Sequence, residues 1–338
     1  MSDKEASPSQ QQLTIQQALD LAVKHHQAGD LPKAENIYQQ ILQSDPNQPQ
    51  ALHLLGMIAY QSGDNEKAIE LIEKSLAIYP DYAEAHSSLG NTMQALGRRE
   101  EAVVNYEKAI SLKPDYAEAY NNLGVALKEL GQLERAVASY EKAITCEPDY
   151  ASPYNNLGVT LKDLGRLEEA VTRYNEALAL DPRLFEVHSN LGEAYRELRE
   201  LDQAVASCQK AIALNPNFVE AYNNLANAYR NLKQSNEAIT NYEKVLSLRP
   251  DDADVYNNLG NLHMEFGRLE EAVDSYQMAI KFSPGNAELY TNLGNSFLFL
   301  SQLDDALVSF KKALEYEPND VVSRTNLGAV LTKLGRLE

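Results

Sequence analysis

Two kinds of apolar stripe alternate along this chain. In residues 117–150 (AEAYNNLGVALKELGQLERAVASYEKAITCEPDY), Tyr120, Leu123, Leu127 and Leu130 recur at three- and four-residue spacing, which marks one buried face of a helix. Gly131 follows and is able to take the left-handed conformation that ends a helix. A second stripe then begins: Leu133, Ala136, Val137, Tyr140, Ala143 and Ile144. Pro148 stops it, because proline cannot extend the hydrogen-bond ladder. Asp115 with Glu118, and Asp81 with Glu84, have the spacing of a capping box ahead of the first helix. The predicted unit is a helix, a tight turn and a second, antiparallel helix.

That unit recurs. Proline stands at 46, 80, 114, 148, 182, 216, 250, 284 and 318, each 34 residues after the last. Ala34, Ala68, Ala102 and Ala136 keep the same step, as do Gly56, Gly90, Gly124 and Gly158. A fixed period of this length means stacked supersecondary units in place of one globular core. The small residues have a steric task. Gly124 and Ala136 let the two helices of a hairpin approach, and Tyr120 and Tyr140 fill the wider gaps. Enlarging Gly124 is expected to overpack that crossing at a cost of roughly 1–3 kcal/mol. One hairpin cannot bury both of its stripes, so neighbours must stack.

An aromatic residue or His, then Leu-Gly, then Ala, Tyr, Ala and Pro at these spacings resembles the tetratricopeptide repeat. The resemblance implies an all-α fold, a right-handed superhelical solenoid of helix-turn-helix hairpins. It covers residues 15–338 as nine full 34-residue repeats and a partial one from 321, after a disordered polar tail over 1–14. Some residues depart from the pattern. Ala22 and Ile41 make the first repeat atypical, which suits an N-terminal cap. Arg199, Lys233 and Ser301 stand where other repeats have the turn glycine, and looser turns are expected there. The tenth repeat has one helix and then RLE. With its partner helix missing, Leu327, Leu331 and Leu334 suggest the N-terminal piece of a longer protein; the alternative is that the last helix itself serves as the cap.

Composition changes the picture only at the margins. The 338 residues carry a formal net charge of −19, and 44% are hydrophobic. An acidic balance argues against nucleic acid, which needs a basic stripe. No run of about 18 apolar residues is present, so membrane insertion is not expected. Cys146 and Cys208 are far apart and imply neither a disulfide framework nor a metal knuckle. With no secretory signal at the start, the simplest compartment is the cytoplasm. No catalytic motif, cofactor loop or metal spacing stands out. His25-His26 is adjacent and not at ligand spacing, and His86 and His188 replace the first-helix Tyr as packing residues. Cys208 replaces the second-helix Tyr, while Glu168-Glu169 and Glu270-Glu271 favour the start of a helix dipole.

A long repeat surface makes binding the expected function, with an extended peptide or another protein as partner. The resemblance implies that the first helix of each hairpin lines a concave wall. On it runs a nearly constant row: Asn122, Asn156, Asn190, Asn224, Asn258, Asn292 and Asn326, with Ser88 one repeat earlier. Each amide offers two donors and an acceptor, which suits peptide main chain. The same row equally fits a brace between hairpins. A second row of Lys128, Lys162, Arg196 and Arg230 is placed either to bind acidic segments or to be solvated charge. The chaperone-tail adaptors of the family carry a clamp Lys just before the row. Here Asn121, Asn155, Asn223 and Asn257 stand there, which disfavours that ligand. The array is also similar to the N-terminal repeats of protein O-GlcNAc transferase and SPINDLY-like proteins. The alternative function is therefore a substrate-recruiting arm, with the transferase domain beyond residue 338.

Overall fold

The computed structural model describes residues 14–335. The tail expected before the first repeat lies outside these, apart from Thr14. The chain divides into two compact units, Met1–Gly165 and Arg166–Glu338. Unit 1 holds α1 (Ile15–Gln27), α2 (Leu31–Ser44), α3 (Pro49–Gln61), α4 (Asn65–Ile78), α5 (Ala83–Ala95), α6 (Arg99–Leu112), α7 (Ala117–Glu129), α8 (Leu133–Cys146) and α9 (Ala151–Asp163). Unit 2 holds α10 (Leu167–Leu180), α11 (Phe185–Glu197), α12 (Leu201–Leu214), α13 (Val219–Asn231), α14 (Ser235–Leu248), α15 (Ala253–Glu265), α16 (Leu269–Phe282), α17 (Ala287–Phe299), α18 (Leu303–Tyr316) and α19 (Val321–Lys333). No strand occurs among the described residues. Within each unit the first helix of each complete hairpin packs on its second helix, and each second helix packs on the next first helix. This is the all-α array of helical hairpins that the period implied.

The hairpin turn has one geometry throughout. At Gly131 φ is +73°. The Gly131 amide donates to the Lys128 carbonyl and the Gln132 amide to the Leu127 carbonyl, both at 2.9 Å. These bonds take up carbonyls that the helix end leaves unpaired. Arg199, Lys233 and Ser301 adopt the same left-handed conformation, with φ of 66°, 63° and 60°. The Arg199 amide reaches the Arg196 carbonyl at 3.1 Å, and the Glu200 amide reaches that of Tyr195 at 2.9 Å. The looser turns expected at these three positions are therefore absent. The packed helices dictate the turn, and a side chain there adds strain without changing its shape.

The capping boxes expected at Asp81 and Asp115 do not form. The N-caps of α5 and α7 are Tyr82 and Tyr116, neither with a side-chain cap bond. Each Asp lies one residue too early. A capping box does form at Thr14, whose hydroxyl accepts from the Gln17 amide while Gln17 reaches back to the Thr14 amide.

In four hairpins the core is a glycine against a ring. A Cβ built on Gly124 would lie 2.5 Å from Cε1 of Tyr140. The Gly90–Tyr106, Gly260–Tyr276 and Gly294–Phe310 pairs repeat that contact, and all four rings are buried. Cys208 takes the ring's place against Gly192, fully buried, as a small core residue. The first-helix aromatic has a different task from filling a gap. The Tyr154, Tyr222 and Tyr290 hydroxyls donate to the carbonyls of Pro148, Pro216 and Pro284, at 3.0, 3.2 and 3.1 Å. His86 and His188 contact the Pro80 and Pro182 carbonyls at 2.9 and 3.0 Å. Tyrosine and histidine thus share one role, tying the inter-hairpin loop to the helix that follows. In α19, Leu327 and Leu334 pack beside Ala306, Phe310 and Val330.

Candidate functional site

The first-helix face carries a polar seam. Asn156 Nδ2 donates to Asn121 Oδ1 at 3.0 Å, Asn224 Nδ2 to Ser189 Oγ at 3.1 Å, and Asn292 Nδ2 to Asn257 Oδ1 at 3.1 Å. In each case the donor sits one repeat after its acceptor. His53 Nε2 lies 2.8 Å from Ser88 Oγ, so histidine and serine fill the same rung in unit 1. Asn122 and Asn326 lean the other way along the helix. Their Nδ2 groups donate to Asn91 Oδ1 at 3.1 Å and Asn295 Oδ1 at 2.8 Å. Asn190 also has a partner, and Asn258 lines a cleft beside Asn223. Asn122, Asn156, Asn224, Asn292 and Asn326 thus bond to the preceding hairpin, and all members of the row are half-buried. The acceptors one position earlier, Asn121 and Asn257, entered the sequence reading only as the residues that replace a clamp Lys, not as partners of the row. The signal was present as the paired Asn-Asn at 121–122 and 257–258.

Two members of the cationic row are engaged between repeats. Lys128 Nζ is 3.2 Å from Asp163, and Arg230 Nε donates to Glu265 at 3.1 Å. This contact holds the Glu265 carboxyl below its ordinary pKa and raises that of Arg230. Arg196 lies 3.5 Å from Glu197, and Lys162 has a partner too. Lys128 and Arg230 are thus neither a ready anion site nor simply solvated.

A second set of carboxamides lies one turn beyond the Asn row and escaped the sequence reading. The Tyr106 hydroxyl donates to Asn91 Oδ1 at 2.7 Å and to Gln94 Oε1 at 3.0 Å. Tyr242 and Tyr276 donate to Asn227 and Asn261 Oδ1, each at 2.7 Å. The buried tyrosines thus fix these amides by their oxygens, which leaves the NH2 ends as oriented donors. Burial pushes the Tyr242 hydroxyl up to about 12, so it stays protonated and keeps donating. In unit 1 this arrangement borders a cleft of about 390 Å3, lined by Tyr60, Asn91, Gln94, Tyr106, Asn122 and Val125.

Elsewhere the side chains are structural. Burial pushes the Cys208 thiol up to about 12, far from a thiolate nucleophile. Burial also lowers the pKa of His188 and His263. Glu168-Glu169 and Glu270-Glu271 occupy the first turns of α10 and α16. Among the described residues no group of three His, Cys, Asp or Glu is placed to hold a metal. No helix there is long and apolar enough to cross a membrane.

The fold has known counterparts. The chain is similar to a tetratricopeptide repeat protein from Parabacteroides merdae ATCC 43184, with 22% identity and a TM-score of 0.57, over 74% of this chain and 98% of that one. It is also similar to the APC/C hetero-tetramer Cut9-Hcn1, with 17% identity and a TM-score of 0.57, over 94% of this chain and 67% of that one. MamA is 29% identical over 48% of this chain and 95% of its own, with a TM-score of 0.44. No curated protein matches the chain. The family model described as the cilia and flagella-associated protein 70 C-terminal domain, a tetratricopeptide-repeat model, matches residues 3–249 and again 157–338. The chain belongs to that tetratricopeptide-repeat family.

Proposed function

We propose that the first-helix faces hold an extended stretch of a partner protein, and that the array works as an interaction scaffold. The observation that carries this is the tyrosine-fixed carboxamide. An amide whose oxygen is already taken presents N–H donors at a set angle, and a peptide's carbonyl groups are the natural complement. Asn91 and Gln94 on the cleft in unit 1, and Asn227 and Asn261 in unit 2, are the contacts we assign to ligand. The row from Asn122 to Asn326 supports that surface chiefly as a brace, because several of its NH2 groups already serve the preceding repeat. The ion pairs of Lys128 and Arg230 weigh against an acidic tail as ligand. A recruiting arm of a glycosyltransferase would use this same surface and differ only in whether its bound partner is then glycosylated.

The test is a photo-cross-linker placed at Val125, on the cleft, compared with one at Val104, which is 64% exposed on α6. Partners in the native extract should be captured at 125 and not at 104. The double variant Asn91→Ala, Gln94→Ala should lower that capture with helicity unchanged. Equal capture at both sites would refute the reading.

A further inference from the structure

Successive hairpins meet where the end of one second helix faces the start of the next first helix. At these paired positions most joints have two small residues, such as Ala109 with Ala119 and Ala211 with Ala221, and a few have one larger or branched residue, as in Ile41 with Ala51, Ala177 with Val187 and Ala279 with Leu289. The α14–α15 joint alone has two β-branched residues, Val245 and Val255. Both are buried in one apolar cluster. Branching at Cβ leaves each side chain one preferred rotamer, so neither yields easily.

The consequences are visible around that contact. The α14–α15 joint is the most loosely packed of its kind, and α13 and α15 touch less than α15 and α17 or α17 and α19 do. A cleft of about 170 Å3 opens there, lined by Asn223, Val245, Asp252, Val255 and Asn258. The rung that should close it is missing. Asn223 Oδ1 is buried without a partner, whereas the flanking rungs are made by Asn224 to Ser189 and Asn292 to Asn257. The other edge of the joint is tethered. Arg230 donates to Glu265 at 3.1 Å and Arg268 to Asn236 at 3.2 Å.

We infer that the α14–α15 joint is a hinge. The Val245–Val255 contact holds the N-terminal ends of α13 and α15 apart, while Arg230–Glu265 and Arg268–Asn236 tether their C-terminal side. A buried acceptor with no donor is costly. It is satisfied either by closing onto Asn258, which the valines resist, or by opening further to water. Two arrangements of one joint, with a fixed edge as pivot, are what a hinge requires. Motion here would change the spacing between the Asn227 and Asn261 donors.

Hydrogen exchange on the full chain, read by mass spectrometry, tests this. Residues 253–260 should exchange about ten-fold faster than 219–226 and 287–294, because local opening sets exchange rates. The double variant Val245→Ala, Val255→Ala should slow exchange in 253–260 about five-fold or more, whereas ordinary loss of buried methyl groups would speed it. If that variant fails to fold, the converse decides: Ala211→Val with Ala221→Val should speed exchange in 219–226 about five-fold. Uniform exchange across the three segments overturns the hinge. So does faster exchange in the Val→Ala variant, or no change in the Ala→Val variant.

Discussion

The two units solve the same turn differently. Unit 1 has glycine at all five turns, Gly29, Gly63, Gly97, Gly131 and Gly165, each at positive φ. Unit 2 has glycine at Gly267 and Gly335, but Arg199, Lys233 and Ser301 at the other three. Backbone conformation and bonding are nonetheless the same. The left-handed turn is therefore imposed by the stacking of stripes on either side. Glycine relieves its strain without creating it. The same contrast runs through the seam. Unit 1 closes a rung with His53 and Ser88, while unit 2 leaves one open at Asn223.

The largest effect should come from what both units share. Tyr140→Ala removes the ring packed on Gly124 and should cost about 3–5 kcal/mol in denaturant unfolding. Cys208→Ala, at the equivalent place in unit 2, should cost about 1 kcal/mol because far less volume is lost. A similar loss from both would break the view that the ring sets hairpin stability.

The second effect is confined to unit 1. His53 is buried, and burial lowers its pKa from 6.5 to about 4, with the Glu84 charge opposing and that of His26 assisting. A histidine that is harder to protonate when folded takes up fewer protons than the unfolded chain. Its contribution is therefore full above pH 6.5 and drains away as pH falls towards 4. The loss should be on the order of 2–3 kcal/mol across that window. His53→Asn places there the residue found at Asn121 and Asn257, and it should flatten the difference between melts at pH 7 and pH 5. An unchanged pH dependence would show that His53 is not its source.

Smaller effects sharpen the comparison. Arg199→Gly, Lys233→Gly and Ser301→Gly should each stabilise unit 2 by about 1 kcal/mol, because a side chain in the left-handed region costs roughly 1–2 kcal/mol. Gly131→Ala should destabilise unit 1 by a similar amount. Glycines at helix contacts behave otherwise. A Cβ on Gly328 meets nothing within 4 Å, whereas one on Gly260 would lie 2.6 Å from Tyr276. Gly328→Ala should therefore gain about 0.5–1 kcal/mol from helix propensity, while Gly260→Ala loses through overpacking. Chemical denaturation of each variant decides these signs.

Much of this was legible in the sequence. The 34-residue recurrence of Pro, Gly and Ala fixed hairpin boundaries, and the 3.6-residue stripes identified the buried faces. What escaped depended on which neighbour each side chain meets. The Asp115 cap failed because a one-residue shift in where α7 begins removes its donor, and periodicity does not resolve a single residue. The row from Asn122 to Asn326 was seen, but its bonding to the preceding repeat was left open against ligand contact. A regular row on one helix face looks the same whether it points to a ligand or to the next hairpin. The fixing of Asn91 by Tyr106 joins residues 15 apart on different helices, which no stripe on one helix displays. Arg199 looked like a looser turn because the sequence shows a missing glycine without the packing that overrides it.

Rungs between neighbouring hairpins hold the repeats in register, and a double-mutant cycle on Asn121 and Asn156 measures one directly. Each residue is replaced by alanine alone and then together, and unfolding free energies are compared. A coupling of about 0.5–1.5 kcal/mol is expected for a half-buried amide bond across the joint. Strict additivity, within about 0.3 kcal/mol, would mean that the row does not hold the repeats together.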